Sequence, residues 1–595
     1  MEGYQKVIDR VVPLEPYEGK SKLCGLKEAV AAHIKPGMSI HFGQAGVRWA
    51  TATIYEIARQ FWDRSPGFTL IGVGMNHPTA VFLHGRLAKK LILTYCGDSY
   101  PTPGPNAAFQ RAYRDGTVEF ENWSILTLPL RLKAAAMGVG FLPTHSIMGS
   151  TMAEENRDAF LEIEDPLTPG RRIGLVKALV PDVSILHGAV ADPYGNTIFL
   201  APNVENVYGA MASRLGAIVT VDKIVSTDTI RRYSHLVKLP GQYVLSLSEV
   251  PCGGHPSKHP QKGLDGFEGY GEDYEFIIAA KEAAKDEKEL GKWIDHWVLG
   301  CPDHEAYLRK VGHERLLYLK GKIRDDSWEV EFRDLKGRLS TSEEYTPAEM
   351  AIVVASRRLQ KKVRENGYQN ILCGAGMANL AGWMAYYQLR EAGTDLEIMA
   401  EAGMFGYAPR PGDPTTFNSR NFPSCKMLTD LHHVMGIFAG GGQNRCIGSL
   451  GAGQIDRFGN INSTKIPEKR LYMVGSGGAN DISSSAQEVV VTAIQRPGSF
   501  VMDVPYITSP GKRVATLIST LGVFEKGEAG GELVLTGIFP NPACRGEDEA
   551  VRYIKDQCGW ELKVAGELVR VSPPSLKELM LLRLFDPDRK FLGKL

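Results

Sequence analysis

One turn is written twice in this chain. Residues 191–199 read ADPYGNTIF and residues 455–463 read IDRFGNINS, so Asp192 and Asp456 hold the same setting 264 positions apart. In each, Asp can cap backbone N–H groups, Gly supplies positive φ, and Asn tolerates it. Two further pairs precede the turn in the same order. IHFGQAGVRWATATIYEIAR, from Ile40, matches ILCGAGMANLAGWMAYYQLR, from Ile371. TLIGVGM, from Thr69, matches IMAEAGM, from Ile398. These offsets are 331 and 329 against 264 for the turn, so the first half carries an insertion of about 65 residues. Three matches in one order predict two copies of one folding unit.

The unit is legible in outline. Short apolar strands run into Gly loops, and the loops into segments with helical spacing of apolar residues. That alternation predicts two similar open α/β domains in tandem, with mostly parallel sheets and helices on both faces. Between 275 and 345 the texture turns polar and charged. The expected division is 1–320, a linker at 321–345, and 346–595. A length of 595 residues is itself too great for one core.

Composition narrows the function class. Lys plus Arg and Asp plus Glu are 68 each, which argues against a dedicated nucleic-acid binder. No apolar run reaches the roughly 18 residues of a membrane helix. The N-terminus lacks the apolar core of a signal peptide. Nine scattered cysteines form no C-x-x-C, as in reduced cytosolic proteins. The expectation is a cytoplasmic protein without nucleic-acid or membrane partners.

The copies differ at one telling place. Aligned on the shared Gly-Met, Gly72 stands opposite Glu401. An ionised carboxylate at the end of an apolar strand is costly to bury. Ligands of open α/β sheets collect at the carboxyl ends of strands. Glu401 is therefore a candidate functional group, against the plain alternative of a strand-end Glu bonded to nearby N–H groups. AGGGQNR (439–445) is a candidate anion site through Gly440, Gly441, Gly442 and Arg445, the alternative being a turn with a surface Arg.

EAGMFGYAPRP (401–411), GSLGAGQIDRFGNIN (448–462) and VGSGGAND (474–481) resemble, in order, three segments of the family I CoA-transferases. The likeness covers almost the whole chain. The first half, with YGNTIF, SEVPCGGHPSKHP and YGEDYEF, is similar to the A subunit of the glutaconate type, and the second half to its B counterpart. The resemblance implies a CoA-transferase with Glu401 as nucleophile, passing through an acyl-glutamyl anhydride and a glutamyl-CoA thioester. It implies acyl-CoA and a free carboxylic acid as substrates, coenzyme A as substrate with no permanently bound cofactor, and a homo-oligomer. It assigns oxyanion contacts to Gly477 and Gly478, with Gln44 facing them and Gly475 on the CoA side. Phe405 and Tyr407 are candidates for the acyl pocket.

Other signals are set aside. CGAGMANLAG lacks the third Gly of a dinucleotide fingerprint, since Asn379 stands there. His255 and His259 are spaced for a metal only on a helix, which Pro256 and Pro260 oppose. A structural role is expected for both, and no metal. The competing readings are an acyl-CoA hydrolase, including opening of a cyclic β-keto acyl-CoA, with Glu119 or Glu121 as base, and a non-catalytic acyl-CoA sensor.

Overall fold

The computed structural model describes residues 2–11, 18–43, 46–98, 100–260, 263–527, 531–541 and 544–594. Two large sheets carry the chain. The first contains seven parallel strands: β1 (Ser39–Phe42), β2 (Phe68–Met75), β3 (Ala88–Cys96), β4 (Glu119–Asn122), β5 (Val183–Ala191), β6 (Ala217–Ile224) and β7 (Val244–Glu249), in the order β7-β6-β5-β1-β2-β3-β4. The second contains β8 (Asn370–Cys373), β9 (Glu397–Ala400), β10 (Cys446–Gly451), β11 (Glu488–Ala493) and β12 (Val514–Ser519), parallel in the order β12-β11-β10-β8-β9. Antiparallel strands extend this second sheet at both edges. The five strands β7-β6-β5-β1-β2 and β12-β11-β10-β8-β9 share one winding. Their residues are buried on both faces, as in β5 throughout, because helices cover each side of a parallel sheet.

The duplication extends to register. Ile40 pairs with Val183 in the first sheet and Ile371 with Ile447 in the second. Val183 to Ile447 is 264 positions, the spacing of the repeated turns. Those turns are built alike. Asp192 Oδ1 accepts from the N–H groups of Tyr194 and Asn196 at 3.1 and 3.0 Å. Asp456 Oδ1 accepts from Phe458 and Asn460 at 2.9 Å each. Each Asn side chain then takes a second backbone N–H, from Gly241 at 3.0 Å and from Gly511 at 2.8 Å. The turn is thus a lock between two loops, which a turn propensity alone does not require.

Register corrects one match. Ile40 pairs with Leu70 and Ile371 with Ile398, an offset of 328 at this seam. Glu401 therefore falls opposite Val73 and not Gly72. The shared Gly-Met misaligned the pair because β2 continues to Met75 whereas β9 stops at Ala400.

The insertion in the first half supplies β3, β4, the helix Thr127–Ala136 and a small antiparallel sheet of Phe141–Thr144, Phe160–Glu164 and Arg172–Lys177. It also docks the second half. Trp123, Ile125, Leu128, Ile147 and Met152 share one core with Leu372, Met399, Ala402 and Ile482. Burial of such apolar surface at about 25 cal/mol per Å² is the main force closing that seam. Within 321–345, the helix Ser327–Lys336 follows the end of His313–Lys322. This segment lies on the second half through the Glu331–Arg420 ion pair and through Arg410 over the Trp328 ring at 4.6 Å.

Candidate active site

Glu401 is the first residue beyond β9, at the carboxyl edge of the second sheet. The chain doubles back at once, since Met404 and Phe405 pair antiparallel with Ala400 and Met399. Gly403 makes this turn at φ +100, where a Cβ would stand 2.5 Å from the Thr429 carbonyl oxygen. Glu401 is thereby held on a tight turn, half-buried, on the wall of a cavity of about 370 Å³.

Both halves build that cavity. Val73, Tyr95, Tyr100 and Lys258 line it from the first half, and Gly374, Glu401, Phe417 and Leu450 from the second. The 474–481 loop closes it by crossing to the other sheet. Cys96 N–H donates to the Val474 carbonyl at 2.9 Å, Gly477 N–H to Thr94 at 2.9 Å, and Ile125 N–H to Gly477 at 2.9 Å. The loop thus forms a rung on the end of β3. Its next residue, Gly478, lies against Glu401: the Gly478 N–H hydrogen-bonds the carboxylate, and a Cβ at 478 would collide with Oε2.

Three residues further on, the first turn of the helix Ala479–Ser485 buries a second carboxylate. Asp481 is fully buried and accepts from Ser124 Oγ at 2.6 Å and from Leu126 N–H at 3.1 Å, both in the other half. Asn480 beside it accepts from Ile147 N–H at 2.8 Å and donates to the Thr508 carbonyl at 2.8 Å. Burial pushes the Glu401 carboxyl up to about 7, the Asp481 charge adds to the rise, and the Gly478 N–H opposes it. Burial raises Asp481 to about 6 against the hydroxyls of Ser124 and Ser146. A second carboxylate in the same seam makes the Glu401 charge costlier still.

A buried ion pair completes the polar lining. Lys258 Nζ lies 3.7 Å from Glu272 Oε1, and Glu272 also accepts from Tyr274 at 3.0 Å and Ser419 at 3.2 Å. The Tyr274 hydroxyl also lies 2.8 Å from Asp413, so its single hydrogen is shared between the two carboxylates. The remaining lining is largely apolar, so a ligand here is held out of bulk water.

The structure brings Glu401, Gly475, Gly477 and Gly478 to this cavity. Gly477 differs from Gly478 in its donor, since its N–H is committed to Thr94 and does not face the carboxylate. Gln44 lies outside the described residues, though Gly46 lines the cavity. Gly440, Gly441, Gly442 and Arg445 do not line it. The reason is strand polarity. Asn370 pairs with both Glu397 and Cys446, so Arg445 sits at the start of β10 and Glu401 past the end of β9. That is about 16 Å apart along the strands.

Phe405 and Tyr407 are likewise not among the lining residues; Tyr407 is fully buried and accepts from Trp383 Nε1 at 3.0 Å. Phe417 and Tyr100 occupy the wall instead. Glu121 accepts from Trp123 at 2.7 Å and pairs with Lys90 and Arg131 at 2.8 and 3.0 Å, and neither it nor Glu119 reaches the cavity. His255 is bonded to Tyr307 at 2.5 Å and Asp273 at 3.0 Å, a structural arrangement. Among the described residues no helix is long and apolar enough to cross a membrane.

Sequence reasoning missed Asp481 as a partner of Glu401, although it stood in the quoted VGSGGAND segment. An Asp in a Gly-rich turn has many roles, and only its placement across the seam distinguishes this one. Lys258 and Glu272 stood in the quoted SEVPCGGHPSKHP and YGEDYEF segments, but nothing local paired them with each other or with Tyr100, because the elements that carry them meet only in the folded chain.

Residues 25–246 match the model of the family described as Coenzyme A transferase. Both polypeptides of the glutaconate CoA-transferase of Acidaminococcus fermentans are similar to parts of this chain. The A-type polypeptide is 29% identical over 315 residues, covering 50% of this chain and 95% of that protein. The B-type polypeptide is 27% identical over 173 residues, covering 28% of this chain and 61% of that protein. An uncharacterised protein of Archaeoglobus fulgidus is 31% identical over 302 residues, covering 50% of this chain and 64% of its own length. An acyl-CoA transferase from E. coli O157:H7, solved as a thioester complex with CoA, superposes with a TM-score of 0.63 at 17% identity, covering 96% of this chain and 98% of that one. This last likeness is one of fold.

Proposed function

We propose that this chain, a member of the coenzyme A transferase family, moves CoA from an acyl-CoA thioester to a free carboxylic acid with Glu401 as covalent carrier. The observation that supports this most is the Glu401 carboxylate on the wall of a largely apolar cleft between the halves, against the Gly478 N–H. In this reading the A-like half, 1–320, furnishes the facing wall and the B-like half, 346–595, the nucleophile.

The chemistry balances without an external acid or base. A Glu401 oxygen attacks the thioester carbonyl, the C–S bond breaks, and CoA leaves as thiolate. The thiolate attacks the glutamyl carbonyl of the resulting anhydride. The C–O bond breaks, the first acid departs as carboxylate, and Glu401 holds CoA as a thioester. A second carboxylate reverses both steps and departs as the new acyl-CoA. The Gly478 N–H is placed to stabilise charge as it develops on oxygen, a contribution of about 3–4 kcal/mol for one good donor. A carboxyl whose basicity is raised by burial is also the better nucleophile once ionised. The apolar walls of the cleft limit the access of water to anhydride and thioester.

Covalent trapping tests this directly. The enzyme is incubated with an acyl-CoA, reduced with borohydride and digested. Peptide mass spectrometry is expected to find the Glu401 side chain converted to a primary alcohol. Reduction at another residue, or steady release of CoA without any acid acceptor, counts against the assignment.

A pH dependence follows from the raised carboxyl. The nucleophile is the ionised form, so kcat/KM for acyl-CoA is expected to fall as pH drops through about 7 and to level off above it. A flat profile across that range contradicts it. Stability runs the other way. The folded chain holds the Glu401 proton more tightly than the unfolded chain does, so stability is withdrawn as pH rises from the ordinary carboxylate range to about 7. Glu401→Gln is therefore expected to raise the stability at pH 8 by about 1–2 kcal/mol, allowing for solvent screening, with little change at pH 4.5.

A further inference from the structure

A second cluster of ionisable groups lies in the first half, away from the Glu401 cavity. His187 is on β5, Asp222 on β6, and His259 in the loop that follows β7. None of the three lines the cavity. One nitrogen of each imidazole and one carboxylate oxygen all lie within 4.8 Å of one another. Both His side chains are fully buried, and Asp222 keeps 11% of its side chain exposed.

Polar partners surround this cluster. Thr220 Oγ1 lies 2.9 Å from His187 Nδ1 and 3.3 Å from the Leu186 carbonyl. Where Thr220 accepts from Nδ1, His187 Nε2 is free to act as an acceptor or a ligand. Nε2 stands 3.3 Å from Asp222 Oδ2. Asp222 Oδ1 is already occupied by the Cys252 N–H at 2.5 Å. Oδ2 is also 2.6 Å from His259 Nδ1, while His259 Nε2 has no hydrogen-bond partner among the described residues. Arg48, the buried cation whose charge reaches His259, gives its Nη2 to Pro202 and Asn203. An imidazole nitrogen and a carboxylate oxygen at this separation can share one cation.

We infer that His187, Asp222 and His259 bind a divalent transition-metal ion of the zinc class. Two imidazoles and one carboxylate form a borderline donor set that suits Zn²⁺ over Mg²⁺ or Ca²⁺. Thr220 bonds the far nitrogen of His187, as outer partners of metal-bound imidazoles do. The Tyr270 hydroxyl, 3.5 Å from His187 Nε2, borders the same space, and the exposed edge of Asp222 is the way in. The ion would tie β5 and β6 to the loop that carries Lys258 into the cavity, which makes the site a structural clamp.

The test uses the full chain, without an affinity tag, stripped with a chelator, treated with excess ZnCl₂ and desalted. Elemental analysis is expected to find about one equivalent of zinc per chain, and Asp222→Asn and His259→Gln are each expected to hold less than about a tenth of that. If either variant fails to fold, the Co²⁺-loaded wild-type chain decides, through visible d–d absorption and paramagnetically shifted imidazole signals of two histidines. Wild-type protein that retains less than about a tenth of an equivalent overturns the site and leaves a shared proton in its place. So does an equivalent that survives in both folded variants, or Co²⁺ that shifts no imidazole signals.

Discussion

Glu401→Ala is expected to lower the rate of CoA transfer by about 10⁴-fold or more, since it removes the covalent carrier and not merely a binding contact. The chain should fold unaided by that carboxylate. Burial and the neighbouring Asp481 raise the cost of ionising it, so its loss relieves the native state at neutral pH. Exchange of labelled acid into acyl-CoA measures the first effect and thermal melting the second. Glu401→Asp separates chemistry from position. The carboxylate remains but retreats by about one methylene, and misplacement on that scale costs on the order of 10²-fold. An Ala variant that still exchanges acid would remove Glu401 from the mechanism. An Ala variant that melts well below the wild type would make the residue a structural one.

Gly478→Ala is expected to cost about 10²- to 10³-fold in kcat/KM with little change in melting temperature. Gly478 has φ −88 and ψ 0, a conformation any residue adopts, so the backbone is not strained by the change. The added Cβ meets the Glu401 carboxylate instead, and the side chain must swing away from the N–H that faces it. Gly477→Ala is the contrasting variant. Its φ of +48 disfavours a side chain, yet nothing lies within 4 Å of the new Cβ. It should lose about 1–2 kcal/mol of stability and less activity than Gly478→Ala. Equal activity losses in the two variants would mean that the loop acts through its conformation and not through its contact with Glu401.

Much of the fold was readable from residue order. The 331 and 264 offsets recur as strand register, with Ile40 and Ile371 holding matching partners in β5 and β10. Periodicity and turn chemistry are local, and a duplicated gene writes them twice. The error at Gly72 has a local cause as well: Gly-Met was matched as letters, while the pairing of β1 with β2 and of β8 with β9 counts residues from the strand centres. Arg445 shows the second limit. A Gly loop ahead of a basic residue is a candidate anion site at either end of a strand, and only sheet polarity says how far it lies from Glu401.

The sequence by itself determined that there are two α/β units, that one of them carries an acidic residue past an apolar strand, and that a Gly-rich loop follows it. Those properties depend on neighbours a few positions apart. Tertiary structure decided that the loop leaves its own unit to bond Thr94 and Ile125 of the other, and that Asp481 and Glu401 share one seam. It also decided that Lys258 and Glu272 reach the same cavity. Contacts between residues hundreds of positions apart are set by how two apolar surfaces close on each other, and no local pattern in the chain encodes that closure.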